Sequence, residues 1–163
     1  MSTFEELMEV LLLYSTHENH PTQVDEAYAI LRESGESAID VLIWGLQQGD
    51  TDLAILVMEL LQQFYSGAQQ ALPAVRRLIR DDQERLVRVT AICTANELGD
   101  CSEEFCSLIA DRLESVDRFE QLQSAMGLWR IRRSEDAYRV LRQLANGDKP
   151  DLLTETAREI LES

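Results

Sequence analysis

Apolar residues recur along this chain with the spacing of helices, and they do so in pairs. Ile39, Ile43 and Leu46 are matched by Ala71, Val75 and Leu78, by Cys106, Ala110 and Leu113, and by Ala137, Leu141 and Leu144. Each triplet follows i, i+4, i+7, one stripe of an α-helix. A second series is interleaved with the first. Val87, Ala91 and Thr94 correspond to Leu122, Met126 and Trp129 and to Leu153, Ala157 and Ile160, and Leu56, Leu60 and Gln63 match after a one-residue slip. The N-terminal stretch is a less regular copy, with Phe4, Leu7, Leu11 and Tyr14 on one helix and Val24, Ala27 and Leu31 on the next. No stretch shows the two-residue alternation of a sheet. The pattern predicts an all-α chain of about five helix pairs.

The punctuation is periodic as well. Gly35, Gly67 and Gly99 fall 32 residues apart, each just after a helical segment, where a left-handed C-terminal cap favours glycine. Asp50, Asp82, Asp117 and Asp148 each precede another helical segment and read as N-caps, whose carboxylates accept from free amides of the first turn. Asp117 with Glu120, and Asp100 with Glu103, have capping-box spacing. Pro21, Pro73 and Pro150 fit near helix starts, where a missing amide costs little. The approximate repeats are 1–34, 35–66, 67–99, 100–134 and 135–163, read as a single repeat domain over 1–163. The segment from Leu53 to Tyr65 is apolar over much of its circumference, as expected of a helix sandwiched between neighbours.

Composition narrows the picture. Of 163 residues, 45% are hydrophobic, enough for a sizeable core despite a net charge of -15. The longest apolar run, Leu53 to Met58, is far short of the roughly 20 residues that span a bilayer. The start Met1 to Glu6 lacks the basic region of a secretory signal, and three cysteines are a poor disulfide framework, so a reducing cytoplasm is expected. The charge repels nucleic acid and anionic membranes, so neither is expected as a partner. It is also uneven. Residues 1–75 hold 12 acidic side chains and one basic, Arg32, whereas arginines cluster at 76–88 and again at Arg130, Arg132, Arg133, Arg139 and Arg142.

The run from Ala71 to Asp82, continued by Val87-Arg88 and closed by Glu97-Leu98-Gly99, resembles a HEAT repeat. That family's unit is a helix pair with proline near the first helix, aspartate in the turn and a valine-arginine pair early in the second helix. The other repeats match in period, turn aspartate and apolar phase, with Leu56, Gln123 and Thr154 at the arginine position. The resemblance implies a right-handed α-solenoid. It implies protein-binding scaffolds for most members, and bilin-attaching lyases or alkylpurine DNA glycosylases for a minority.

Candidate chemistry is sparse. His17-Glu18-Asn19-His20 offers two imidazoles and a carboxylate, but no third ligand stands at a recognisable spacing, so a solvated loop is expected and no metal. Cys93, Cys101 and Cys106 form no C-x-x-C pair. Neither a phosphate loop nor a nucleophile elbow is present, and neither a catalytic residue nor a cofactor is expected. Trp129 falls on a core stripe, while Trp44 lies one position off its stripe and reads either as packing or as a binding hot spot.

These features together predict a monomeric, non-enzymatic scaffold, adaptor or regulator. It would grip a basic protein or peptide in a concave groove lined by second helices. The expected contacts are Asp52, Glu59, Arg85, Arg88, Gln123 and Arg130. Two alternatives stand beside it: an immunity or inhibitor protein that neutralises a basic toxin or nuclease, and an enzyme of the bilin lyase-like or DNA glycosylase-like kind.

Overall fold

The repeating apolar phase is realised as ten α-helices, with no strand, among residues 3–15, 21–81, 84–147 and 151–163, which the computed structural model describes. Two compact units divide after Asp100. The unit Met1–Asp100 contains α1 (Phe4–Ser15), α2 (Pro21–Arg32), α3 (Glu36–Leu46), α4 (Thr51–Phe64), α5 (Leu72–Asp81) and α6 (Arg85–Glu97). The unit Cys101–Ser163 contains α7 (Glu103–Ala110), α8 (Arg118–Arg132), α9 (Glu135–Ala145) and α10 (Leu152–Glu162).

In the first unit α4 is the helix around which the others gather. It packs against α1, α2, α3 and α6, and Leu53, Ala54, Leu56, Val57, Met58, Leu60 and Leu61 are all buried. Gln62 Nε2 on α4 donates to Thr94 Oγ1 on α6 at 2.9 Å, and that hydroxyl in turn donates to the Thr90 carbonyl at 2.8 Å. A fully buried threonine is thereby satisfied on both sides. Gly45 lets α3 approach closely: a β-carbon there would lie 2.8 Å from Val57 Cγ2 and 3.0 Å from Leu11 Cδ2. In the second unit α8 packs against α7, α9 and α10. Not every stripe position is inside, since Ala110, Gln63 and Phe4 are exposed.

The caps follow the sequence in part. Asp50 Oδ1 accepts from the Leu53 amide and Asp117 Oδ1 from the Glu120 amide, both at 2.7 Å. Asp82, Asp148 and Pro150 lie outside the described residues. Asp100 is not a cap. Its carboxylate is buried against Arg76 Nη1 at 2.8 Å, and Ser102 caps α7 by accepting from the Phe105 amide. The cap of α10 is Asp151, which accepts from the Thr154 amide at 2.9 Å and from Arg118 Nη1 at 2.6 Å. This links the starts of α8 and α10 across successive repeats.

The Thr154 amide, the Arg118 guanidinium and the Thr154 hydroxyl, in that order, hold the Asp151 carboxyl down to about 2 from its ordinary 3.8. A carboxyl with a lower pKa in the folded state contributes stability that is complete above the ordinary value and lost as pH falls through the folded one. Unfolding followed across that acid window should show a shallower loss of stability in Asp151→Asn than in the parent. Identical pH profiles for the two would refute the assignment.

Gly99 adopts φ 75° after α6, as the periodic glycines predict, and Gly35 has φ 58°. Gly67 is different, because α4 runs into a 3₁₀ segment over Tyr65–Ala71. After α8 the left-handed position is held by Arg133, with φ 51° and ψ 42°. A side chain there costs about 1 kcal/mol or more that glycine would avoid.

Candidate ligand site in the Cys101–Ser163 unit

The six expected contacts fall in two groups. Asp52 is exposed and Glu59 half-buried on α4, and burial raises the Glu59 pKa. Arg85 is exposed and Arg88 half-buried on α6, which packs against α4. Gln123, half-buried, and Arg130, exposed, belong to α8 in the other unit. None of the six lines the concavities described next.

Short polar caps start α7 and α9, and the segment 111–117 joins α7 to α8, leaving a trench between α7, α8 and α9. One part of it is a cavity of about 370 Å³, with Cys106, Leu113 and Leu128 among its buried walls and Arg132, Ser134 and Asp136 at its polar edge. A second concavity, of about 460 Å³, shares Leu113 and Asp136 with the first and adds Arg139. Two guanidiniums therefore flank an apolar floor, and each carries an exposed carboxylate. Arg132 pairs with Glu103, and Arg139 pairs with Asp136 at 3.2 Å. The hydrogen bond to Glu103 is the main cause that raises the Arg132 pKa, with a smaller contribution from the Cys106 sulfur. Such exposed pairs exchange partners readily, because each contributes roughly 0–1 kcal/mol. The trench thus combines an apolar floor with a rim of two guanidiniums and the carboxylates of Glu103, Asp111, Glu114 and Asp136.

The thiols differ in character. Burial and the nearby Glu97 charge push Cys93 up to about 11, Cys101 is exposed, and Cys106 is buried in the trench wall. Among the described residues no group of three His, Cys, Asp or Glu side chains stands together to hold a metal ion, and His17 and His20 lie outside those residues.

Next to the trench, Trp129 is not the core residue its stripe predicts. It is half-buried and stacks on Tyr138, with ring centroids 5.5 Å apart. Trp44 is also half-buried, edge to face with Phe4 at 6.4 Å. The sequence signal for this region was the arginine cluster 130–142. What it could not show was which arginines already carry a carboxylate.

No family model matches the chain, and no curated protein matches it. Among solved structures the chain is similar to the complex of CpcE and CpcF of phycocyanin lyase from Nostoc sp. PCC7120, with a TM-score of 0.64 at 12% identity. The likeness covers 99% of this chain and 100% of that one. It shows the fold, an all-α solenoid of HEAT-like helix pairs. It also corrects two expectations, the non-enzymatic scaffold and the absence of enzyme function. The full-length structural match is to a lyase complex and not to a scaffold or an immunity protein. The physical reason is that a helical array assembles its sites from side chains on successive helices, so a missing linear motif says little about chemistry.

Proposed function

We propose that this chain is a bilin lyase-like enzyme subunit of a reducing cytoplasm that works together with a second protein chain. The observation that supports it is the fold shared along 99% of the chain with one member of a two-chain phycocyanin lyase complex. The trench suits the ligand that this reading requires. A bilin is an open-chain tetrapyrrole with a long conjugated body and carboxylate arms. Its arms would displace Glu103 and Asp136 from Arg132 and Arg139 by like-for-like exchange, while the body covers Leu113 and Leu128. The second chain would meet residues 1–75 through basic side chains, since those residues hold 12 acidic groups and one basic.

The test is a titration of the purified chain with biliverdin, followed by its visible absorbance, and then with apo-phycocyanin added as acceptor. Binding should shift the absorbance band, and Arg132→Ala with Arg139→Ala should weaken it by about tenfold or more. A chain that leaves the spectrum unchanged at every concentration refutes the reading.

A further inference from the structure

Four planar groups are layered where α8 ends and α9 begins. The Arg133 guanidinium lies 4.7 Å from the centre of the Trp129 ring, Trp129 stacks on Tyr138 at 5.5 Å with a tilt of 35°, and the Arg142 guanidinium lies 5.9 Å from the centre of the Tyr138 ring. Contact through a π face leaves the in-plane N–H groups of both arginines available. Neither Arg133 nor Arg142 pairs with a carboxylate among the described residues, and the same holds for Arg130, one turn before Arg133. This is notable in a chain with 30 acidic residues to 15 basic, where a neutralising partner is easily supplied. The trench arginines, Arg132 and Arg139, have one.

Three further observations coincide at this corner. Trp129 Nε1 is buried and has no acceptor. Arg133 occupies the left-handed position that glycine holds after α6, so the chain keeps a guanidinium there at a cost in backbone energy. The outer side of α9 borders a shallow space of about 660 Å³ lined by Glu135, Tyr138, Arg139, Arg142, Gln143 and Asn146, with Tyr138, Arg142 and Asn146 at one-turn intervals, about 6 Å apart. Trp, Tyr and Arg are the residue types that dominate interface hot spots.

The geometry points to this corner as a docking surface for an acidic segment of a partner protein, whose carboxylates pair with Arg133 and Arg142 on either side of the Trp129–Tyr138 stack. Charge complementarity selects the occupant. Free guanidiniums in fork geometry fit carboxylates bidentately, and the chain's overall charge opposes the long phosphate polyanion of a nucleic acid. The proposal does not rest on the lyase reading: Arg139 borders both spaces, but Arg133 and Arg142, which carry the docking, are not part of the trench lining.

The experiment uses the full chain with Trp44→Phe, which leaves Trp129 as the single tryptophan. The probe is a synthetic helical peptide with a row of glutamates along one face and leucines between them. It should change Trp129 emission saturably, and Arg133→Ala and Arg142→Ala should each weaken binding by about tenfold. Added salt should weaken it as well. Arg133→Gly keeps the left-handed turn and should lose as much affinity as Arg133→Ala, which separates docking from folding. Equal binding of the same peptide with lysine in place of glutamate would overturn the proposal. So would undiminished binding by the double arginine variant, or displacement by a short DNA duplex at matched charge.

Discussion

Replacing Arg76 by alanine is expected to destabilise the Met1–Asp100 unit by about 3–5 kcal/mol. Arg76 Nη1 meets Asp100 Oδ2 at 2.8 Å, and the aspartate side chain is only 2% exposed. The pair as a whole need not be strongly stabilising, because both ions lost their hydration on burial. Removing one partner is another matter, since the carboxylate is left in a low-dielectric site without its counter-charge. The double variant Arg76→Ala with Asp100→Ala should therefore regain part of the loss. Each unit holds one tryptophan, so denaturant unfolding can be followed in the first through Trp44 and in the second through Trp129. The variant should lower the midpoint of the Trp44 transition. A loss below about 1 kcal/mol, as for an exposed pair, would contradict the assignment.

Phe105→Ala is expected to have a comparable effect in the other unit, about 3–5 kcal/mol. Its ring is fully buried and its amide is bound by the Ser102 cap, so truncation leaves a cavity beneath α7 while the helix start remains fixed. Neighbouring helices relax only partly into such a space, and this adds to the lost transfer free energy. The Trp129 transition reports it. Val116→Ala, at a fully exposed position in the same unit, is the control and should change stability little. Similar midpoints for the two variants would mean that α7 is not part of the core.

The sequence revealed helices better than sites, and the reasons are local. An apolar stripe is set by 3.6-residue geometry, so Leu56, Leu60, Val87, Ala91, Leu141 and Ala157 could be placed inside from spacing alone. Caps were less legible because they depend on a distance of about three residues from carboxylate to amide, and turn lengths vary. Asp50 and Asp117 meet that condition, whereas Ser102 holds it in place of Asp100. Trp129 was misplaced because a stripe position at the last turn of a helix has lost the neighbour that would cover it. The arginine cluster was visible, but its division into Arg132 and Arg139, each paired with a carboxylate, and Arg133 and Arg142, which have ring contacts and no carboxylate among the described residues, depends on contacts on which spacing is silent. The expectation of a non-enzymatic scaffold failed for a related reason: it weighed linear motifs in a fold that does not need them.

Gly45 has a bearing on whether the repeats could be exchanged for one another. In the repeat alignment its counterparts are Arg77, Arg112 and Gln143, so averaging the repeats into a consensus would place a long side chain at a position that is buried only in its α3 copy. Its β-carbon alone would meet Val57 at 2.8 Å, and Val57 sits on the helix that gathers that unit together. Duplicating, permuting or idealising these modules would thus succeed at the other three sites and fail at this one, where the array carries an address as well as a period.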